Sequence, residues 1–247
     1  MCAEYQMTVS NKKIQEVLGI PLPDYGPTKF DSLKRVKLSV AAPVVELVDG
    51  RPVLRERVFP VNPFPNSRLS GFEGGDEVAV ESDQSIRRIY DVPLWKKTFS
   101  ENPLIVPMTD FFEPVYWWPE IGTVQRFRVP DEEVFFVAGM AIKPRIPATG
   151  KLDGFSLFTH TATAQMLKYH QRLVTILKAE DAKDYLEPMS PADRFAFLIA
   201  KRYTGELLVE KDRTMAKGWE KKIGLQEAKL HREQAYLKAL KNEGVKG

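Results

Sequence analysis

Eighteen prolines stand in this chain of 247 residues, many of them before residue 150. A proline fixes φ and removes a backbone donor, so it interrupts helices and keeps sheet segments short. A helical bundle is therefore not expected over that stretch; short strands joined by turns and loops are. The far end of the chain reads differently. From Met215 onward it is highly charged, and Ile223, Leu230 and Leu237 recur every seven positions, with Trp219 and Leu240 nearby. One narrow apolar stripe of this kind predicts an amphipathic helix. Its apolar face needs a cover, either its own domain, the simpler expectation given that Gly224 interrupts a short seam, or a protein partner. The expected organisation is one domain over residues 1–212 and a charged helical extension over residues 213–247.

Charge is uneven. Residues 201–247 hold 12 Lys/Arg against 7 Asp/Glu, a net of +5, so residues 1–200 sum to −2 within the overall +3. Overall charge thus does not announce a nucleic-acid binder, and any basic groove must be local. No run approaches the roughly 18 apolar residues of a membrane span, which argues against a membrane partner. The single cysteine excludes an internal disulfide framework and fits a reducing, cytoplasmic setting.

Local patterns place the elements. Residues 3–9 alternate weakly as a strand. Ser10-Asn11 predicts a helix start, Ile14, Val17 and Leu18 follow at helical spacing, and Gly19 with Pro21 ends it. Val36 to Val48 is strand-like, and Val48-Asp49-Gly50-Arg51 is a strong hairpin signal into Val53 to Phe59. Residues 60–83 read as an extended loop. Strands are expected at 103–107, 111–118, 123–129, 133–142 and 154–160, and helices over Ala162 to His170 and Pro191 to Arg202.

The one cysteine is Cys2, directly behind the initiator methionine. Removal of Met1 would give one residue both an α-amine, of pKa about 8, and a thiol, of pKa about 8.5. Such an aminothiol attacks an aldehyde twice, first as a Schiff base and then by closing a thiazolidine ring. The bland alternative is an accident of a frayed terminus. Of three histidines, His231 lies in the charged tail, His160 ends a strand and reads as structural, and His170 stands at the boundary of an apolar strand, where an imidazole suits acid–base work. Glu113 sits in the apolar run Phe111-Phe112-Glu113-Pro114-Val115-Tyr116, so burial would raise its pKa toward proton transfer near neutrality. An outward-facing strand residue is the plain alternative, and Asp110 the local competitor. No metal-ligand spacing, glycine-rich phosphate loop or nucleophile elbow occurs, and no cofactor is implied. The pairs Arg87-Arg88 and Lys96-Lys97, with Tyr90, Trp95, Trp117, Trp118, Arg126 and Arg128, supply cations and aromatics of the kind single strands favour.

In order, these fragments resemble the SRAP family, the SOS response-associated peptidase domain. Met1-Cys2-Ala3-Glu4-Tyr5 is similar to that family's Met-Cys-Gly-Arg opening, and Asn66-Ser67-Arg68 to its Asn-Ala-Arg segment. Val106-Pro107 with Phe111-Phe112-Glu113 resembles its Val-Pro-Ala-Asp-Gly-Phe-Tyr-Glu-Trp strand, Ala138-Gly139-Met140 its Ala-Gly-Leu, and His170-Gln171-Arg172-Leu173 its His-x-Arg-Met-Pro. The resemblance implies an α+β fold on a curved, mostly antiparallel, barrel-like sheet with flanking helices. It also implies a sensor that crosslinks to abasic sites in single-stranded DNA through Cys2, with AP-lyase activity as a side outcome. Within that resemblance Glu113 moves protons, His170 assists sugar-ring opening, Asn66 positions the Cys2 end, Arg68 and Arg172 hold phosphates, and Trp117 or Trp118 replaces the stacking Trp lost at Pro114. Glu4 stands where the family has Arg, a negative charge beside the reactive end, and marks a divergent member. Two other readings remain: a thiol hydrolase using Cys2, His170 and Asn66, and a noncovalent single-strand-binding module.

Overall fold

Period-two apolar patterning cut by prolines folds into fifteen short strands among the described residues. The structure is a computed structural model that describes residues 4–19, 35–37, 40–59, 66–72, 86–142 and 154–244. Side chains at 66–68, 71, 72, 86, 94, 240 and 242–244 lie outside that description, as do Cys2 and much of the expected 60–83 loop. In chain order the strands are β1 (Glu4–Gln6), β2 (Val36–Lys37), β3 (Val40–Val48), β4 (Arg51–Phe59), β5 (Asn66–Arg68), β6 (Ser70–Phe72), β7 (Ile86–Arg88) and β8 (Pro103–Met108). They continue as β9 (Asp110–Pro114), β10 (Thr123–Arg128), β11 (Phe135–Ile142), β12 (Gly154–Thr161), β13 (Arg172–Val174), β14 (Ile176–Leu177) and β15 (Leu208–Thr214). The α-helices are α1 (Asn11–Leu18), α2 (Pro93–Glu101), α3 (Ala179–Leu186), α4 (Pro191–Lys201) and α5 (Ile223–Gly244).

The largest sheet closes on itself. β12, β4, β3, β8 and β11 pair in succession, and β11 pairs back with β12, which makes a small ring of mostly antiparallel strands. A second sheet, in the order β15-β10-β9-β1-β2, carries the start of the chain beside β9. Alternation divides the core between two faces. Val44, Leu104, Val106, Val137 and Leu157 pack with Tyr5, Phe111 and Phe127 of the second sheet. Their neighbours Val45, Ile105, Ala138 and Phe158 pack instead beneath Ile14, Phe99, Tyr185 and Leu198 of the helices. The architecture is thus α+β, barrel-like, with helices on one side and a smaller sheet on the other.

Local signals explain the ends. Ser10 Oγ accepts from the Lys13 N–H at 3.2 Å, and Gly19, at φ +62°, closes α1 in the left-handed region. Asp49 and Gly50 both take positive φ, 51° and 74°, between the paired Val48 and Arg51, so the β3–β4 hairpin has the turn that its sequence predicts. Gly139 tolerates no side chain, because a Cβ there would meet the Ser156 carbonyl oxygen at 2.5 Å.

Three expectations need correction. The described part of the expected 60–83 loop is not loop but strands β5 and β6, which pair with β12 and β7. Ala162 to His170 forms turns with a single 3₁₀ turn over Met166–Lys168, not a helix. Its side chains bond elsewhere: Gln165 Nε2 donates to the Leu207 carbonyl, and its Oε1 accepts from the Leu207 N–H, each at 2.8 Å. In α5 the heptad residues Ile223, Leu230 and Leu237 are only half-buried, whereas Glu233 and Tyr236 are buried. The helix docks on its own domain along that face, with the Tyr236 hydroxyl against Ser70 Oγ. No described helix is long and apolar enough to cross a membrane.

Candidate active site

Glu113 lies on β9, opposite Gln125 of β10, in a strand with almost no exposure from Asp110 to Glu113. β1 runs antiparallel on the other side, with Glu4 opposite Phe112, so the first described residue of the chain lies one register position from Glu113. Cys2 itself lies outside the described residues. Asp110, the competing carboxylate, accepts from Thr109 Oγ1 at 2.8 Å and from Arg126 Nε at 2.5 Å. It is a structural ion pair.

His170 comes from the turn that leads into β13. Its backbone N–H donates to the Met166 carbonyl at 2.8 Å, and its Nδ1 lies 2.8 Å from the Arg172 carbonyl oxygen. The Arg172 N–H also lies 3.2 Å from Nδ1; the shorter carbonyl contact takes a proton on Nδ1, and in that tautomer Nε2 is the acceptor when the ring is neutral. Nε2 is 3.8 Å from Glu113 Oε2, and both residues are 2 % exposed. The distance is too long for a hydrogen bond but short enough for one small group to touch both.

Burial raises the Glu113 carboxyl above its ordinary value, against the opposing charges of the amino terminus and Arg172. Burial also drives the His170 imidazole well below its ordinary value; the charges of the amino terminus, Arg172 and Lys229 add to this, against the hydrogen bond to the Arg172 backbone. Each group is therefore pushed toward its neutral form, the carboxyl toward holding a proton and the imidazole away from taking one. Acid and base of that kind can exchange roles within one step.

The surroundings are basic. Lys229 has its ammonium depressed first by burial and then by Arg172, Arg232 and Lys222. These are like charges gathered around Lys229, the pattern expected where an anion is to be held. Three of the four come from the tail segment, which the sequence signalled only through its net charge of +5. Trp117 donates its indole N–H to the Lys168 carbonyl at 2.9 Å and so braces the turn before His170. Trp118 is 82 % exposed, a free aromatic face. Trp219 packs on Tyr116 and over Gly122, where a Cβ would meet the indole at 2.9 Å and where the φ of +81° itself favours glycine.

The remaining residues expected at the site fall elsewhere or are described in part. Asn66 and Arg68 have their backbones on β5, parallel to β12 with Asn66 opposite Leu157 and Arg68 opposite Thr159, and their side chains lie outside the described residues. Arg87 and Arg88 sit on β7, paired with β6. Arg88 lines a cavity with His160 whose walls include neither Glu113 nor His170.

The family model for the SOS response associated peptidase (SRAP) matches residues 85–211, more than half of the chain. The chain belongs to the SRAP family. That membership associates it with the DNA-damage response in general terms. Glu113, His170 and Arg172 lie within the matched residues, whereas Cys2, Asn66 and Arg68 lie before them.

Solved structures share the SRAP protein's fold. A protein from Bacteroides thetaiotaomicron is similar with a TM-score of 0.64 at 18% identity, over 86% of this chain and 92% of that one. A protein from Bordetella bronchiseptica gives 0.61 at 16% identity, over 86% and 100%. A phage-related protein from the same organism gives 0.60 at 14% identity, over 86% and 95%. No curated protein sequence matches this chain significantly.

Proposed function

We propose that this SRAP protein captures abasic sites in single-stranded DNA by a covalent bond to Cys2. The observation that carries the reading is the buried Glu113–His170 pair, 3.8 Å apart beside the strand that leads from Cys2. The amino-terminal charge acts on both members of the pair, and a basic cluster around Lys229, which includes Arg172, supplies attraction for phosphate. Trp118 offers a face on which an unpaired base can stack.

The chemistry balances within these groups. His170 Nε2 takes the proton of the sugar's anomeric hydroxyl as the ring C–O bond breaks, and the released ring oxygen takes that proton back as a hydroxyl. With Met1 removed, the Cys2 amine adds to the aldehyde carbon and gives a carbinolamine. Protonated Glu113 delivers its proton to the carbinolamine hydroxyl, which leaves as water and forms the iminium. The carboxylate then accepts the thiol proton, the thiolate attacks the iminium carbon, and the C=N electron pair returns to nitrogen. The product is a thiazolidine plus one water, with Glu113 again protonated.

The test uses the purified chain, with Met1 removal confirmed by mass spectrometry, and uracil-containing single-stranded DNA treated with uracil glycosylase. A band that survives denaturation, that has the summed mass less one water and that disappears in Cys2→Ala is the expected result. Absence of that band sinks the reading. The family's description as a peptidase favours a second reading, a thiol hydrolase using Cys2, His170 and Asn66. It predicts instead that Cys2→Ala retains an uncleaved leader while abasic DNA is left untouched.

A further inference from the structure

Apart from Glu113 and His170, the chain buries a second histidine beside a cavity. A recess of about 380 Å³ opens between the end of β12, the β6–β7 hairpin, α4 and α5. Its volume lies in the range of small-ligand sites. His160, 5 % exposed, forms part of the wall, and Arg88 and Arg202 form part of the rest. Among the described residues neither guanidinium has an ion-pair partner, although Arg202 is half-buried at the end of α4. Leaving a half-buried guanidinium without a counter-charge is unfavourable, and a bound anion would remove that cost. Arg88 lies over the Phe195 ring, 5.9 Å from its centroid, which holds its charge at the rim.

The rest of the wall narrows the ligand. Phe195 and Ile199 of α4 supply an apolar face, and the Tyr236 and Ser70 hydroxyls a polar one. His160 Nδ1 lies 2.7 Å from the Thr161 carbonyl oxygen, a contact that requires a proton on Nδ1, and Nε2 has no hydrogen-bond partner among the described residues. Burial first, then Arg202, lowers the imidazole to about 4, against the Thr161 hydrogen bond. At neutral pH the ring is thus uncharged and Nε2 is an acceptor that lacks a donor. The positive charge in the recess belongs to the arginines alone.

We propose that this recess binds a nucleoside monophosphate, with the phosphate on Arg88 and Arg202, the base against Phe195 and Ile199, and a base or sugar N–H or O–H toward His160. Phosphate matches the two guanidinium forks, the planar base matches the aromatic and aliphatic face, and a neutral acceptor selects a body that carries a donor. The same chemistry comes from a free nucleotide or from the phosphorylated end of a DNA strand. None of the lining residues belongs to the Glu113–His170 pair, so the site stands independently of abasic capture.

The experiment is calorimetric titration of the full chain with deoxyadenosine monophosphate, deoxyadenosine and inorganic phosphate, with thermal shift as a parallel readout. The monophosphate is expected to bind, and deoxyadenosine and phosphate each at least about tenfold more weakly. Arg202→Gln is expected to cost about tenfold in affinity while leaving the Cys2 crosslinking rate unchanged. Arg88→Gln, at an exposed strand position, repeats the test should Arg202→Gln fold poorly. A 5′-phosphorylated oligonucleotide that displaces the monophosphate, through the same arginines, identifies a strand end as the ligand; one that does not displace it identifies the free nucleotide. No binding at millimolar monophosphate, or binding unchanged in both arginine variants, overturns the proposal.

Discussion

Glu4 and Glu113 are the same chemical group on neighbouring strands, one residue apart in register, and their pKa values are shifted in opposite directions. Glu4 faces Phe112 across the β1–β9 pairing; Glu113 is the next residue on β9. Burial alone would raise both carboxyls. At Glu4 that tendency is outweighed by Arg35, which donates to Oε1 at 2.7 Å, and Arg213, which donates to Oε2 at 2.6 Å, so its pKa is lowered. At Glu113 no guanidinium bond outweighs burial, and the pKa is raised. The guanidinium hydrogen bonds at Glu4 and the fuller burial of Glu113, 2 % exposed, together separate an anchor from a proton carrier. The pairing also explains how a negative residue is tolerated beside the end that bears Cys2. Glu4 is bound inward by Arg35 and Arg213, and Arg35 packs over the Phe112 ring, 3.9 Å from its centroid.

The sharpest way to break the comparison is Glu113→Gln, which keeps shape and removes the proton. Under the proposed mechanism the rate of crosslinking falls about 100-fold or more, the usual size of a general acid–base contribution. Stability moves the other way. A carboxyl whose folded pKa is raised leaves the fold unaffected below its ordinary pKa and penalises it as pH rises from there through the raised value. The variant should therefore gain Tm relative to the parent as pH is raised from about 4 toward 7. Parallel Tm curves for parent and variant would show that Glu113 is an ordinary carboxylate.

The sequence made one side of this contrast readable and hid the other. Glu113 could be picked out because a carboxylate within Phe111-Phe112-Glu113-Pro114-Val115 has apolar neighbours on both sides, and such a group must be buried or turned outward. The β3–β4 hairpin and the caps of α1 were equally plain, because Asp49-Gly50, Ser10 and Gly19 act locally. The partners of Glu4 were not readable. Arg35 and Arg213 are 31 and 209 residues away in the chain, and only the packing of β1 between β2 and β9, with β15 farther along the sheet, gathers them. β15 itself is a mostly exposed, charged strand that no apolar alternation announces. α2 was masked in another way: Pro93 at its first turn begins a helix, but Trp95-Lys96-Lys97 reads equally well as a nucleic-acid patch. Lys229 carries no signal of its own, since its significance comes from its distance to Arg172 and not from its sequence neighbours.

Glu4→Gln tests the anchor, with a smaller effect. The substitution removes the charge from two guanidinium hydrogen bonds that are partly open to solvent, so the expected loss is about 1–2 kcal/mol near neutral pH. The sign is opposite to that at Glu113. A depressed carboxyl stabilises the fold above its ordinary pKa and loses that contribution as pH falls through the lowered value. Parent and Glu4→Gln curves should therefore converge on acidification, whereas those for Glu113→Gln separate as pH rises. Denaturant unfolding at several pH values reads both. A Glu4→Gln deficit that persists unchanged in acid would place its effect in packing and not in charge.

The smallest expected effect is at Arg213. Its side chain is 42% exposed, and it shares both of its carboxylates with Arg35: Arg35 Nη1 holds Glu4, and Arg35 Nη2 donates to Asp212 Oδ1 at 2.5 Å. Arg213→Ala leaves each carboxylate with one guanidinium, so the cost should be about 0.5 kcal/mol, the size of an exposed ion pair, and should shrink in molar salt. A double-mutant cycle of Glu4→Gln and Arg213→Ala sharpens the contrast. Because Arg35 keeps Glu4 charged when Arg213 is gone, most of the Glu4→Gln loss should survive in the Arg213→Ala background. If that loss disappears instead, Arg213 is the residue that sets the charge of Glu4, and Arg35 serves mainly to cover Phe112.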